Sequence, residues 1–320
     1  MTNVLLTVDT EVWCEGWHDL DAKFPDYFRK YVYGPTRAGH YALPILFKVL
    51  ADFGLRATFF VEPLFALRFG LEPLREIVGL VQDAGQDVQL HAHPEWLDES
   101  REAPLFDMHT KQPRLSGFSP EQQRRIIAKA KELLVAAGAQ SVEGFRAGSY
   151  AADRNTLLAL ADNGIFIDSS YNWAAPVGVC DMFPGRRLLQ PAIDAGVTEL
   201  PVSVYRPGGA RLSRHLQLTA CSFAEMRWML EYAQRTGWDS VVIVLHNFEL
   251  LTEDKLRPDR MVFRRFVALC RYLADHADRF ATVGIGGLVP QVSALQPELP
   301  ETPAWLTAGR YLAQAAGRYQ

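Results

Sequence analysis

The sequence predicts an α/β protein built on a mostly parallel sheet covered by helices. Three observations predict it. Short apolar runs of strand character alternate with amphipathic stretches of helical period. Glycines punctuate the helical stretches at Gly54, Gly85, Gly138 and Gly164. Polar, chemistry-bearing residues gather where the apolar runs end, the face on which α/β proteins assemble their sites.

Residues 4–8 form the first strand and run into Asp9-Thr10-Glu11. Residues 13–39 follow, with Trp13, Trp17, Tyr27, Phe28, Tyr31 and Tyr33 among Gly, Asp and Pro. This is long for a strand-to-helix connection. It reads as a loop that either covers the mouth of a site with aromatic surface or packs on its own small core. The spacing of Ile45, Leu46, Val49, Leu50 and Phe53 predicts a helix over about 41–53. Residues 56–61, with Thr58, Phe59, Phe60 and Val61 in succession, predict the second strand. A helix over 71–84 precedes the strand 87–90, which leads into His91-Ala92-His93-Pro94-Glu95. Ser119 as N-cap and Pro120 at the first helical position begin a helix over 120–137. The strand 142–145 delivers Arg146. After a helix over 153–162, the strand 165–167 delivers Asp168-Ser169-Ser170. A helix over 222–236, a strand over 241–245 that delivers His246-Asn247, a helix over 259–275 and a strand near 280–283 complete the series. Residues 184–219, rich in Pro and Gly, read as a β-rich excursion that returns a strand or two to the rim of the sheet. The reading is therefore one catalytic unit over 1–290 and a Pro-rich extension over 291–320 that carries a short helix near 305–316 and no second domain.

Composition narrows the function. The chain has 320 residues, 48% apolar and 22% charged, enough for a full core and unlike a disordered chain. Arg and Lys (33) are scattered and outnumbered by Asp and Glu (37), which argues against a nucleic-acid surface. No apolar run approaches the ~20 residues that span a bilayer, so no transmembrane segment is expected. Met1-Thr2-Asn3 leads at once into strand, and Cys14, Cys180, Cys221 and Cys270 are widely spaced, so a cytoplasmic setting with reduced thiols is expected. Oligomeric state has no signature in the sequence.

The two polar clusters carry the chemistry. If the first strand continues, Asp9 and Glu11 share a face, being two residues apart. His91 and His93 share a face in the same way, and Pro94 disfavours helical geometry at His93. Two imidazoles and one carboxylate with an open position form a common catalytic zinc set, and a second carboxylate beside it can take a proton from water. Asp9 alternatively caps a turn or pairs with Arg146, and Glu95 is either a solvated carboxylate or replaces His93. Arg146 offers a rigid fork whose natural partner is Asp9. Otherwise it ties a loop together through backbone carbonyls. Asp168, Tyr171 and Trp173 either line a substrate pocket or, for Asp168, cap a turn. His246 ends a five-residue apolar run at the active face and is either an acid or a structural histidine.

Taken together, Leu6-Thr7-Val8-Asp9-Thr10-Glu11, Ala57-Thr58-Phe59-Phe60-Val61, the approach Gly85 to His91, Phe145-Arg146-Ala147-Gly148-Ser149-Tyr150, Asp168-Ser169-Ser170 and Leu245-His246 resemble the ordered motifs of the NodB-homology polysaccharide deacetylases, carbohydrate esterase family 4. Two departures stand out. The second carboxylate of the first motif falls one residue late, at Glu11, and position 95 holds glutamate where the family's second histidine falls. His93 is therefore taken as the third ligand. The resemblance, nearest to deacetylases of lipopolysaccharide or capsule biosynthesis, implies a distorted (β/α)7-type barrel and metal-dependent removal of an N-acetyl group from an amino sugar. It implies zinc or another divalent transition metal on Glu11, His91 and His93, Asp9 as base, Arg146 as its orienting partner and His246 as acid. Trp13, Tyr150, Asp168, Tyr171 and Trp173 become candidate substrate contacts, and an acetylated amino sugar the partner. Rival readings on the same barrel are hydrolysis of another small or cyclic amide, and a non-catalytic carbohydrate-binding or scaffold protein with a decayed site.

Overall fold

The computed structural model describes residues 1–317 apart from 102, 109, 293 and 294. Nine strands form the main sheet: β1 (Thr2–Thr10), β2 (Ala57–Val61), β3 (Asp87–Ala92), β4 (Gly144–Ala147), β5 (Ile167–Asp168), β6 (Ala192–Asp194), β7 (Val197–Glu199), β8 (Ser240–His246) and β9 (Phe280–Thr282). Their order is β8-β1-β2-β3-β4-β5-β7-β6. β9 pairs with the start of β1, and β2 with its later residues. All neighbours are parallel except the β6–β7 hairpin. The sheet curls into a partly closed barrel. Irregular backbone covers the free edge of β8: Ser203 N–H donates to Val242 O at 3.3 Å, Leu218 N–H to Val244 O at 3.0 Å, and Val244 N–H to Leu216 O at 2.8 Å. These bonds satisfy strand groups that an open edge would leave unpaired. Residues 184–219 supply both this cover and the β6–β7 hairpin.

The longer helices are α1 (Leu20–Phe28), α2 (Leu43–Asp52), α3 (Leu71–Asp83), α4 (Pro120–Ala136), α5 (Arg154–Asp162), α6 (Phe223–Arg235), α7 (Arg260–Asp275) and α8 (Ala304–Gly317). A four-residue helix over Ala66–Phe69 and two short antiparallel pairs, Pro35–Thr36 with Gly39–His40 and Val204–Tyr205 with Arg214–His215, accompany them. Capping boxes start three of them: Ser119 with Gln122, Asp153 with Thr156, and Ser222 with Glu225. Each cap contributes ~1 kcal/mol. No helix among the described residues is long and apolar enough to cross a membrane. α8 is tied to α6 by a buried Arg310–Glu225 ion pair at 3.1 Å.

The segment 13–39 differs from its expectation as a loop. It contains α1 and a π turn over Arg29–Tyr33. Leu20, Phe24 and Phe28 are buried at four-residue spacing, a helical stripe that Pro25 within the helix obscured.

Strand alternation sorts the core into two layers and positions the site. Val4, Leu6 and Val8 of β1 pack outward under the helices with Phe59, Leu90 and Leu245. Leu5, Phe60, Ile167, Val242, Val244 and Ile285 fill the barrel interior. Continued at the same two-residue alternation, the interior side of each strand ends in polar residues: Thr7, Asp9 and Glu11 after Leu5, Glu62 after Phe60, and His246 after Val244. His91 and Arg146 occupy the corresponding ends of β3 and β4 and are buried. The carboxyl mouth of the barrel thus collects the chain's chemical groups.

Candidate metal-centred active site

Glu11, His91 and His93 converge. Both imidazole Nε2 atoms face the same carboxylate oxygen, Glu11 Oε1, at 3.1 Å from His91 and 2.9 Å from His93. All three are buried, and one ligand atom from each lies within 4.8 Å of the others. Outer partners fix the ligands. His91 Nδ1 lies 2.8 Å from the carbonyl of Arg146, which only accepts, so Nδ1 donates there and Nε2 is the atom turned toward the cluster. His93 Nδ1 meets Glu95 Oε2 at 3.3 Å, so Glu95 orients His93 rather than joining the three-residue group. The second Glu11 oxygen accepts from Trp13 Nε1–H at 2.6 Å. Asn247 clamps the Glu11 backbone, accepting from its N–H at 3.0 Å and donating to its carbonyl at 3.1 Å.

The electrostatics are those of a site built for positive charge. Burial acts to raise the Glu11 pKa, but His93 and the hydrogen bonds from both imidazoles hold it well below the usual carboxylate range. Burial disfavours the His93 imidazolium, yet the Glu11 carboxylate holds His93 well above the ordinary histidine value. Two nitrogens and one oxygen crowd against one another where ~2 Å bonds to a zinc-like ion would satisfy all three. The donor set fits such an ion, which when bound polarises a carbonyl and acidifies water.

Asp9 stands beside this cluster. Arg146, fully buried, donates to Asp9 Oδ1 at 2.7 Å and to Thr7 Oγ1 at 2.9 Å. Its other nitrogens bond Ser169, Nε to the carbonyl and Nη2 to Oγ, both at 3.0 Å. Its guanidinium lies 4.4 Å above the Phe60 ring. Every arm of the fork is engaged, so Arg146 is immobile and fixes the carboxylate it grips. His246, paired in register with Asp9 across β8 and β1, faces the same cavity. Burial acts against its imidazolium, but the Glu249 carboxylate, 2.8 Å from Nδ1, outweighs it and pushes His246 up to about 9. Gln217 donates to the same Glu249 oxygen.

These groups surround a cavity of about 280 Å³ lined by Asp9, Glu11, His91, His93 and His246 together with Trp13, Glu95, Ala147, Ser149 and Tyr150. An aromatic cleft of about 440 Å³ adjoins it and shares Trp13 and Glu95. Ser149 and Tyr150 both take positive φ, 54° and 59°, an uncommon backbone for such residues and one found at functional sites. Gly148 precedes them because a Cβ there would fall 2.6 Å from His93 Nδ1.

Of the sequence-predicted substrate contacts, Trp13 and Tyr150 line the cavity, whereas Asp168, Tyr171 and Trp173 do not. Ile167 points into the barrel, so Asp168 points the other way. Its carboxylate accepts from Ser170 Oγ at 2.7 Å and faces Glu199, which in turn accepts from Tyr171 N–H at 3.0 Å. The Tyr171 hydroxyl donates to Arg186 O at 2.7 Å, and Trp173 is 42% exposed.

Sequence reasoning missed Glu62, Gln217 and Glu249. Glu62 is buried beyond β2, accepts from Leu64 N–H at 2.8 Å and Phe65 N–H at 3.2 Å, and also accepts from the His93 backbone. Its signal was parity, since it continues the inward series Thr58, Phe60. Glu249 stood three residues after His246, a turn's spacing.

A model of the polysaccharide deacetylase family matches residues 34–166. The fold is shared with a candidate polysaccharide deacetylase from Mycobacterium smegmatis, 20% identical over 93% of this chain and 95% of that one, with a TM-score of 0.56. Over residues 34–166 the chain is therefore similar to the polysaccharide deacetylases, and it shares the fold of one such structure. A family 4 carbohydrate esterase from Streptomyces lividans, in complex with acetate, aligns at 15% identity over 93% and 98% of the two chains with a TM-score of 0.45. A family 4 pseudoenzyme from Bacillus anthracis aligns at 13% over 94% and 70%, also with a TM-score of 0.45. The chain matches no curated protein at a significant level. The matched segment contains His91, His93 and Arg146 but neither Asp9, Glu11 nor His246. The Glu11, His91 and His93 cluster offers the donor set of a divalent-metal site, and the matched segment supplies its two histidines.

Proposed function

We propose that this protein removes the N-acetyl group from an amino sugar, giving acetate and the free amine. One observation carries the reading. A three-donor ligand cluster lies between a clamped carboxylate and a histidine, all facing one cavity. Glu11, His91 and His93 would hold the divalent ion, which supplies a polarised carbonyl and an acidified water. Asp9 accepts the proton of the attacking water, and Arg146 keeps it aimed. His246, cationic through Glu249, delivers a proton to the departing nitrogen. Amide hydrolysis needs this last step because an unprotonated amine leaves poorly, and it makes an amide the better fit than an ester. Trp13 and Tyr150 flank the acetyl-bearing ring, and the adjoining aromatic cleft receives the rest of the substrate.

The test is acetate release from a panel of N-acetylated monosaccharides, oligosaccharides and nucleotide sugars by protein loaded with zinc. Release that is lost in His91→Ala together with the metal, and lost in Asp9→Asn with the metal retained, supports the reading. A fully metallated protein that releases no acetate from any member, or full turnover by Asp9→Asn, overturns it.

A further inference from the structure

We propose that Trp13 is a positioning residue that restricts Glu11 to binding an ion through one oxygen, which keeps a coordination position free for water or substrate. The inference rests on the metal reading of the cluster and concerns how the cluster is kept open.

Glu11 has two oxygens with different partners. Oε1 faces both imidazoles, and Oε2 accepts from Trp13 Nε1–H at 2.6 Å. Indole nitrogen only donates. The bond to a carboxylate is charge-assisted and short, so Oε2 does not turn toward an ion without breaking it. The indole is itself fixed. Its ring meets His93 edge-on at 4.8 Å and 89° and lies near-parallel to Trp96 at 6.0 Å and 17°. Trp96 is 1% exposed and packs edge-on against Phe69. The donor therefore sits on a platform that cannot follow a moving carboxylate. The backbone side is fixed as well, by the two Asn247 bonds.

The consequence is a count of donor atoms. With Oε2 engaged, the cluster offers two nitrogens and one oxygen, the three-ligand set of a hydrolytic site with a position to spare. A carboxylate released from Trp13 can chelate with both oxygens and occupy that position. The two-residue spacing that makes this possible sits in the sequence as Glu11-Val12-Trp13.

Trp13→Phe removes the N–H and leaves an aromatic ring on His93 and Trp96. Trp17→Phe alters the same aromatic cluster, where Trp17 meets Trp13 edge-on at 6.0 Å, and serves as the packing control. Zinc affinity is measured by competition with a chromogenic chelator, and coordination by the visible bands of the cobalt(II) protein. Trp13→Phe is expected to weaken zinc binding about 10–100-fold, the usual effect of losing such an outer bond. Its cobalt bands are expected to weaken as the coordination number rises, while Trp17→Phe matches wild type in both. Equal affinity and an unchanged spectrum in Trp13→Phe overturn the proposal, as does an equal loss in Trp17→Phe. Zinc X-ray absorption of the wild type needs no variant: one carboxylate oxygen at bonding distance supports the proposal and two overturn it. A wild type that takes up neither zinc nor cobalt fails the metal reading itself, an outcome distinct from the others.

Discussion

Replacing Arg146 with Met isolates the most buried charge pair in the site. Arg146 is fully buried, and the Asp9 side chain is 4% exposed, 2.7 Å away. Removing the guanidinium strands the Asp9 carboxylate in the barrel. Breaking one partner of a buried pair costs about 3–5 kcal/mol. The Ser169 carbonyl also loses its Nε donor, which adds roughly 1–3 kcal/mol if no water replaces it. Total stabilities run ~5–15 kcal/mol, so the variant stands near the edge of folding. Asp9→Asn in the Arg146→Met background removes the stranded charge, so the double variant should recover about 2 kcal/mol or more relative to the sum of the singles. Urea unfolding of the four proteins at pH 7, with linear extrapolation, measures the cycle. Arg146→Met within 1 kcal/mol of wild type, or additive single variants, would show that the pair is not buried and coupled as described. Arg146→Lys should fall between, because an ammonium reaches Asp9 as a point charge but cannot span Thr7 and Ser169 at once.

Further outcomes follow from other contacts. His246 must be protonated to act as an acid and is pushed up to about 9, so kcat/KM should fall as pH rises through about 9. In Glu249→Gln the falling limb should move down toward the ordinary ~6.5 of histidine. A limb that stays in place would remove Glu249 from this role. Gly148→Ala brings a Cβ within 2.6 Å of His93 Nδ1 and 2.8 Å of Ala92 O, so it should displace His93 and weaken zinc binding more than it lowers Tm. Unaltered zinc affinity would contradict the packing. Burial and the facing Asp168 carboxylate hold the Glu199 pKa well above the carboxylate range, so the folded state keeps its proton where the unfolded chain has lost it. Stability from this pair is therefore full below the unfolded value of ~4.3 and is lost as pH rises through the folded value. Glu199→Gln should flatten urea stability measured from pH 5 to pH 9, and an equally sloping variant would exclude the pair as the cause.

The site's inner shell was legible because its information is local. Two-residue spacing alone puts Asp9 with Glu11, and His91 with His93, on one face of their strands. Pro94 keeps the latter segment extended, and the resemblance to a known series of motifs ordered the rest. The same parity, carried one step further along β2, would have pointed to Glu62. Applied to β5, it would have turned Asp168 away from the cavity, since Ile167 faces inward. The helix at Leu20–Phe28 was hidden because one proline outweighed a stripe of three buried residues.

The sequence by itself determined the alternation of elements, the face of each strand that carries chemistry, and the residue types a metal and a proton relay need. Which strands adjoin was decided only in the folded barrel. Asp9 meets His246 across 237 residues of separation, and Arg146 reaches Asp9 across 137. Trp13 finds Glu11 from just two residues away, yet its bond depends on Trp96 and His93 holding the indole in place. The physical reason is range. Spacing along a chain specifies direction within one element, whereas contact between elements follows from how the barrel's two apolar layers close around the polar ends of its strands.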